Sequence, residues 1–203
     1  MYRGLVAVGL VLVIFGATAS PTPLVSLRSL AFAGSSVHIY PLPARADSPQ
    51  VDEALEVTVL NLINQERLAD GLPPLMPHAT IQRAARAHGR EMFAWGYLTH
   101  LSRDGRTPQD RVLGLGVRVH LIGEKLAYAA DARAAHDALM ASDAHRRNIL
   151  FPQYQLVGIA VIDGGSGGVI VVEDFSDEGV AYHLPKWWDG SGARPAVRAE
   201  PGH

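Results

Sequence analysis

Apolar residues recur along this chain at two different periods. Between Val51 and Gly71, Ala54, Leu55, Val59, Leu62 and Ile63 repeat at the three-to-four spacing of one helix face. Gly71 stands where such a helix stops, and Pro73-Pro74 cannot extend it. The same spacing returns over residues 80–95, with Ile81, Ala84, Ala85, His88 and Met92 on the inner face. Thr107-Pro108-Gln109-Asp110 is a helix start, with a hydroxyl cap, proline in the first position and an acid in the first turn. That short helix should end at Gly114 or Gly116, and Asp131 can cap an alanine-rich helix reaching Met140 or Ala141. After His145 the period changes. Residues 155–162 and 169–175 are β-branched runs joined by Gly164-Gly165-Ser166-Gly167-Gly168, which predicts an antiparallel hairpin. Both faces of each run are apolar, so the strands should lie between helical layers in an α/β fold.

The N-terminus changes the picture of where this fold works. Arg3 precedes an uncharged apolar run over residues 5–15, and Ala17-Thr18-Ala19 fits a small-x-small cleavage site. The run is shorter than the roughly 20 residues that span a bilayer. Residues 1–19 are therefore expected to be a signal peptide, and the signal segment the only membrane contact. Residues 20–50, rich in Pro, Ser and Ala, are expected to be a linker, and residues 51–176 the folded domain. Residues 177–203 form a loosely ordered tail in which Trp187-Trp188 can fold back. The expected location is secreted or cell-envelope associated.

Composition removes several functions. The formal net charge is −2, with Lys125 and Lys186 the only lysines and no basic stripe, so nucleic acid is not an expected partner. There is no cysteine, which excludes disulfides, thiolate metal sites and a cysteine nucleophile. Any metal must be held by nitrogen or oxygen.

Several familiar signatures fail on context. Gly164-x-Ser166-x-Gly168 matches a nucleophile elbow, but a strand follows it where a helix is required. His88 and Glu91 share a helix face without a third ligand, so His88 is expected to be a packed or capped histidine. Glu173 and Asp174 are strand neighbours that point to opposite faces, which disqualifies them as a catalytic pair. Three segments remain: Thr99-His100-Leu101-Ser102, Gly123-Glu124-Lys125-Leu126-Ala127, and Ser142-x-x-His145-Arg146-Arg147-Asn148-Ile149-Leu150.

In this order and spacing the three segments resemble the CAP superfamily of cysteine-rich secretory, antigen 5 and pathogenesis-related 1 proteins. The bacterial SCP-like extracellular branch is the most similar. Asn64-x-x-Arg67, Gly71-Leu72-x-x-Leu75, Ala84-Ala85, Met92, Gly105, Arg111, Tyr154, Val157-Gly158-Ile159 and Phe175 extend the resemblance over most of the predicted domain. It implies a three-layer α-β-α sandwich with a mainly antiparallel central sheet and a surface cleft. Two histidines and one or two acids face that cleft in the family, and some members hold a divalent metal there. By position these are His100, His145 and Glu124, and the second acidic position falls at Ser142. Lys125 departs from the usual asparagine and is expected beside the cleft, where it would weaken metal binding or pair with Glu124. Leu139 replaces a common tryptophan, which should affect packing alone.

The resemblance leaves the chemistry open. His100, His145 and Glu124 are the candidate ligands of a divalent metal such as zinc, with water completing the shell. Glu124 would be either a ligand or an acceptor that fixes a histidine tautomer. Glu124, Ser142 and His145 are the candidate catalytic residues, because Ser142 can meet His145 across one helical turn. Three functions fit: a binding module for a divalent metal, small molecule, lipid or cell-envelope ligand; a metal- or Ser/His-dependent hydrolase; and a non-catalytic structural or interaction protein at the cell surface.

Overall fold

The computed structural model describes residues 39–177, together with the backbone of Ala7–Leu12, Leu30–Phe32 and Ser35–Val37. The expected cleavage site at Ala17-Thr18-Ala19 and the tail beyond Asp177, Trp187-Trp188 included, lie outside the described residues. Among the described residues no helix is long and apolar enough to cross a membrane.

Local signals position the helices much as the sequence implies. Helix α1 is Glu53–Ala69, with the Asp52 side chain accepting from Leu55 N–H. Helix α2 is Ala79–Trp95, capped by the His78 side chain and ended by Gly96 in the left-handed region at φ 72. Helix α3, Pro108–Leu113, starts in a full capping box in which Thr107 and Asp110 satisfy each other's backbone N–H. Helix α4 is Ala132–Ala141 under an Asp131 cap. A fifth helix that the periodicity does not announce, α5 (Asp143–Ile149), follows at once.

The sheet is built on three long strands: β1 (Ile122–Ala129), β2 (Leu156–Asp163) and β3 (Val169–Ser176). The predicted hairpin is β2–β3, closed by a 3-10 turn at Gly165–Gly167, and β3 runs antiparallel between β2 and β1. Gln50–Val51 and Met76–Pro77 add short pairings to β2, antiparallel and parallel respectively. The backbone of Ala7–Leu12 runs parallel to β1 along its other edge.

Strand alternation sends two apolar sets to two helical layers. Val157, Ile159, Val161, Val171 and Phe175 pack with Val59 and Ile63 of α1 and with Ala135 and Leu139 of α4. Leu126, Ala160, Ile162, Ile170 and Val172 pack with Ala85, Met92 and Phe93 of α2. The result is the α-β-α sandwich that the resemblance implied, with Leu139 wholly inside the core. At Gly158 a Cβ would collide with the backbone of Ile81 and Gln82, so α2 sits directly on β2. Ahead of α1, Tyr40–Pro41 pairs with Tyr97–Leu98, and Leu42 and Ala46 are buried against α2.

Arg67 ties the last turn of α1 to the chain after α5. It is fully buried and donates to the carbonyl oxygens of Pro73, Ile149, Phe151 and Tyr154 at 2.8–3.1 Å.

Candidate functional site

His100 sits in the loop between α2 and α3, and α2 pins that loop at several points. The buried His88 has its Nε2 2.8 Å from the Thr99 carbonyl, which can only accept, so His88 carries its proton on Nε2. Burial and then the nearby Arg111 charge hold the His88 pKa well below the ordinary range, so the ring stays neutral. Glu91 Oε1 accepts from Tyr97 Oη at 2.7 Å and from Arg103 N–H at 2.6 Å. The Arg103 guanidinium lies 3.4 Å over the Trp95 ring. His88 and Glu91 are therefore supports of the His100 loop and not the start of a metal site.

The loop delivers His100 to β1. His100 Nδ1 is 2.7 Å from Glu124 Oε1, and Arg111 from α3 donates to Glu124 Oε2. Arg111 also donates to the carbonyl of His100 at 2.9 Å and to Ser102 Oγ at 3.3 Å, holding the loop and the acid together. Glu124 is fully buried and Arg111 nearly so, while the His100 side chain is 14% exposed and reaches the surface. Burial pushes the Glu124 carboxyl up, and Arg111 opposes that push. A carboxylate accepting from His100 Nδ1–H fixes the ring tautomer.

Strand register adds a residue that the sequence reasoning discarded. Asp174 on β3 lies directly opposite Glu124, fully buried on the same face of the sheet. Its pKa is held well above the carboxylate range by burial first and by the Glu124 charge second. Glu173 and Asp174 face opposite ways, as strand alternation requires. Each is instead paired across the strands, Glu173 with Lys125 and Asp174 with Glu124.

Lys125 is a correction. As the strand neighbour of Glu124 it points to the opposite face, into the α1/α4 layer, where Glu173 lies opposite it. It is buried, its Nζ donates to the Glu124 carbonyl at 3.2 Å, and it is no cation in the cleft.

The other candidate residues, Ser142 and His145, lie at the α4–α5 junction. Ser142 is the N-cap residue of α5 but makes no side-chain cap bond; its Oγ lies 2.7 Å from His145 Nδ1. One turn further along α5, Asn148 lies against Gly123, where an added Cβ would come 3.2 Å from Asn148 Oδ1 and collide with the Tyr154 hydroxyl. Gly123 thus lets α5 close on the strand position next to Glu124.

This geometry tests the metal implied by the resemblance. Each Glu124 oxygen already accepts a hydrogen bond, one from His100 and one from Arg111, the state of an acceptor that fixes a histidine tautomer. Among the described residues no group of three or more His, Asp or Glu side chains is arranged to hold a metal ion. His100, Glu124 and His145 do not fit a three-ligand site.

Comparison with known proteins agrees with the fold and with the family resemblance. The family model described as "CAP: Cysteine-rich secretory protein family" matches residues 60–175, more than half of the chain. The uncharacterised protein YkwD of Bacillus subtilis (strain 168) is 32% identical over 120 residues, covering 59% of this chain and 47% of that protein. The chain thus spans less than half the length of that curated relative. An extracellular protein containing an SCP domain from Bacillus anthracis superposes with a TM-score of 0.55 at 24% identity, over 62% of this chain and 41% of that one. An outer surface protein of Borrelia burgdorferi superposes with a TM-score of 0.60 at 17% identity, over 64% of this chain and 99% of that one.

Proposed function

The chain belongs to the cysteine-rich secretory protein family, and we propose that it is an exported binding module whose cleft at His100 and His145 holds a cell-envelope ligand without turning it over. One observation carries this reading: each oxygen of the buried Glu124 carboxylate already accepts a hydrogen bond, one from His100 and one from Arg111. An acid held between two donors is better placed to orient a histidine than to serve as a general base. Its work is to orient His100 and to neutralise Arg111. To a ligand the cleft then presents imidazole and hydroxyl groups already set by His100, Ser142 and His145, which suits hydrogen bonding to a polar polymer or headgroup. Export is supported by the predicted leader and by relatives described as extracellular or outer-surface proteins.

Co-sedimentation of the purified protein with peptidoglycan sacculi, and separately with phospholipid vesicles, tests this. The wild type should sediment with one of them, and His100→Ala with His145→Ala should not, at unchanged circular dichroism. Equal sedimentation of wild type and double variant would remove the cleft from the binding surface.

A second reading rests on the 2.7 Å contact between Ser142 Oγ and His145 Nδ1, which is a candidate nucleophile–base pair for a hydrolase. An ester and peptide substrate screen decides it. Turnover abolished by Ser142→Ala would establish the hydrolase, and a complete absence of turnover would leave the binding module.

A further inference from the structure

We propose that the outer edge of β2 at Ile159 is a peptide-binding site. It pairs with the main chain of one extended residue and takes that residue's aliphatic side chain into the cavity beside it. The middle strand β3 separates β2 from β1, which carries Glu124, so this site is distinct from the His100 cleft and independent of that cleft's ligand.

Hydrogen bonding along β2 fixes which way Ile159 points, because successive strand residues turn their N–H and C=O groups to alternate sides. The Gly164 N–H donates across the hairpin to the Gly168 carbonyl at 2.9 Å, and in this register the even-numbered residues of β2 bond to β3. The odd-numbered ones face outward: the Val157 carbonyl accepts from His78 N–H at 2.8 Å, and the Val161 carbonyl accepts from Asp52 N–H at 2.9 Å. Ile159 lies midway between them. The outer pairings of β2 stop at Ile162 on one side and at Val157 on the other. Among the described residues nothing bonds to the outward N–H and C=O of Ile159. The residue is 4% exposed, so these groups are held away from bulk water. Buried main-chain groups in that state call for a partner.

Ile159 lines a cavity of about 200 Å³ between the first turns of α1 and α2. Val57, Leu60, Pro77 and Val157 give it apolar walls. The Glu56 carboxylate on its polar side already accepts from Gln82 Nε2 and from Arg86 Nε, each at 2.8 Å. The site therefore asks for one donor and one acceptor side by side, next to an aliphatic group. One residue of an extended chain presents that set: two directly opposed strand residues exchange both N–H···O bonds, and their side chains share a face. Ile159 faces the α1/α4 layer, so the partner's side chain enters on the side of Val57 and Leu60. The cavity is smaller than the roughly 300 Å³ at which pockets for whole drug-sized ligands begin, and it suits a single side chain. Asp52 and His78 hold the flanking outward positions, which limits the site to one residue and excludes a long edge-to-edge pairing of two copies. The outward carbonyl of Ile159 and the Glu56 carboxylate disfavour an anion, so the ligand is a neutral peptide unit at a chain end or a turn tip.

The experiment is an NMR titration of the full chain with N-acetyl-leucine N′-methylamide, a single residue carrying both main-chain groups. The Ile159 amide proton should move downfield and the Val57 and Leu60 methyl resonances should shift with it, saturating in about the millimolar range expected of so small a ligand. The ester analogue, with oxygen in place of the leucine N–H, leaves the Ile159 carbonyl unanswered and should bind about tenfold more weakly. Val57→Phe fills the cavity from an exposed position and should abolish the shifts, while sedimentation with sacculi or vesicles stays at the wild-type level. An Ile159 amide that does not move in the wild type overturns the proposal without any variant, since ordered water then satisfies the edge. Equal affinity for amide and ester, or shifts that persist in Val57→Phe, would overturn it as well. None of these readouts uses the cleft's ligand, so failure of the cleft reading and failure of this one remain distinct.

Discussion

Two consecutive rungs of the same strand pair carry charge into the middle of this protein, and they are built differently. On the α1/α4 face, Lys125 opposes Glu173; on the α2 face, one residue away, Glu124 opposes Asp174. The first rung contains its own counter-charge but is otherwise isolated, and neither Glu173 oxygen has a hydrogen bond. Burial lowers the Lys125 pKa to about 8 and raises the Glu173 pKa to about 8, so the dry environment works against both charges. The second rung has no internal counter-charge and must import one. Arg111 supplies it from α3, and the loop carrying His100 comes with it. A buried rung that holds opposite charges of its own stays inside the core. An incomplete one recruits partners from neighbouring elements and so creates a route from the core to the surface.

The comparison breaks most severely at Arg111. Arg111→Met strips the cation from two buried carboxyls and releases the His100 carbonyl, and it should cost about 3–5 kcal/mol. Urea denaturation at pH 7 measures this, and a loss below about 1 kcal/mol, the size of a surface pair, would mean that the acids have another counter-charge. The other rung should be more forgiving. Lys125→Met alone leaves Glu173 buried without its partner, at a cost of about 1–3 kcal/mol. Adding Glu173→Leu should recover that loss or exceed wild-type stability, as replacing a buried pair by apolar residues often does.

Acidity gives a smaller and reversible test of the same rung. The folded-state pKa of Glu173 is raised, so its contribution is full below the ordinary glutamate value and is lost as pH rises through about 8. The folded-state pKa of Lys125 is lowered, so its contribution is present above the ordinary lysine value and is lost as pH falls through about 8. Wild-type stability should therefore dip near pH 8, and the Lys125→Met, Glu173→Leu double variant should lack the dip. Denaturant midpoints between pH 5 and pH 10 would show it. Thr107→Ala, which breaks a complete capping box, should cost about 1 kcal/mol. The smallest effect is expected at Ser142→Ala, within about 0.5 kcal/mol, because Ser142 makes no cap bond to α5.

The legible parts of the fold are those in which pattern and partner lie close in sequence. Thr107 and Asp131 cap their own helices, Gly71 takes the left-handed turn just past α1, and the hairpin of β2 and β3 is local. Strand β1 is hidden in the sequence because Glu124 and Lys125 interrupt its apolar pattern. Their partners lie nearly fifty residues downstream, and only the register shows that the charges are answered. Helix α5 is hidden because Ser142, His145, Arg146, Arg147 and Asn148 leave a seven-residue segment with hardly any apolar face. For the site, order and spacing select His100, Glu124 and Ser142–His145. Which face each side chain takes is beyond their reach, and that is why the sequence sets Lys125 beside the cleft and leaves Asp174 out.

The four carbonyl bonds of Arg67 have a mechanical consequence. One guanidinium, its pKa drawn down to about 10 by burial yet still cationic at neutral pH, clasps the end of α1, the turn at Pro73 and the chain from Ile149 to Tyr154. The segment behind His145 can peel away only if all of these let go together. In hydrogen exchange, the amides at the end of α1 and those following α5 should open as one cooperative unit, with a shared free energy. Arg67→Lys, whose compact ammonium cannot span the same acceptors, should split that unit in two.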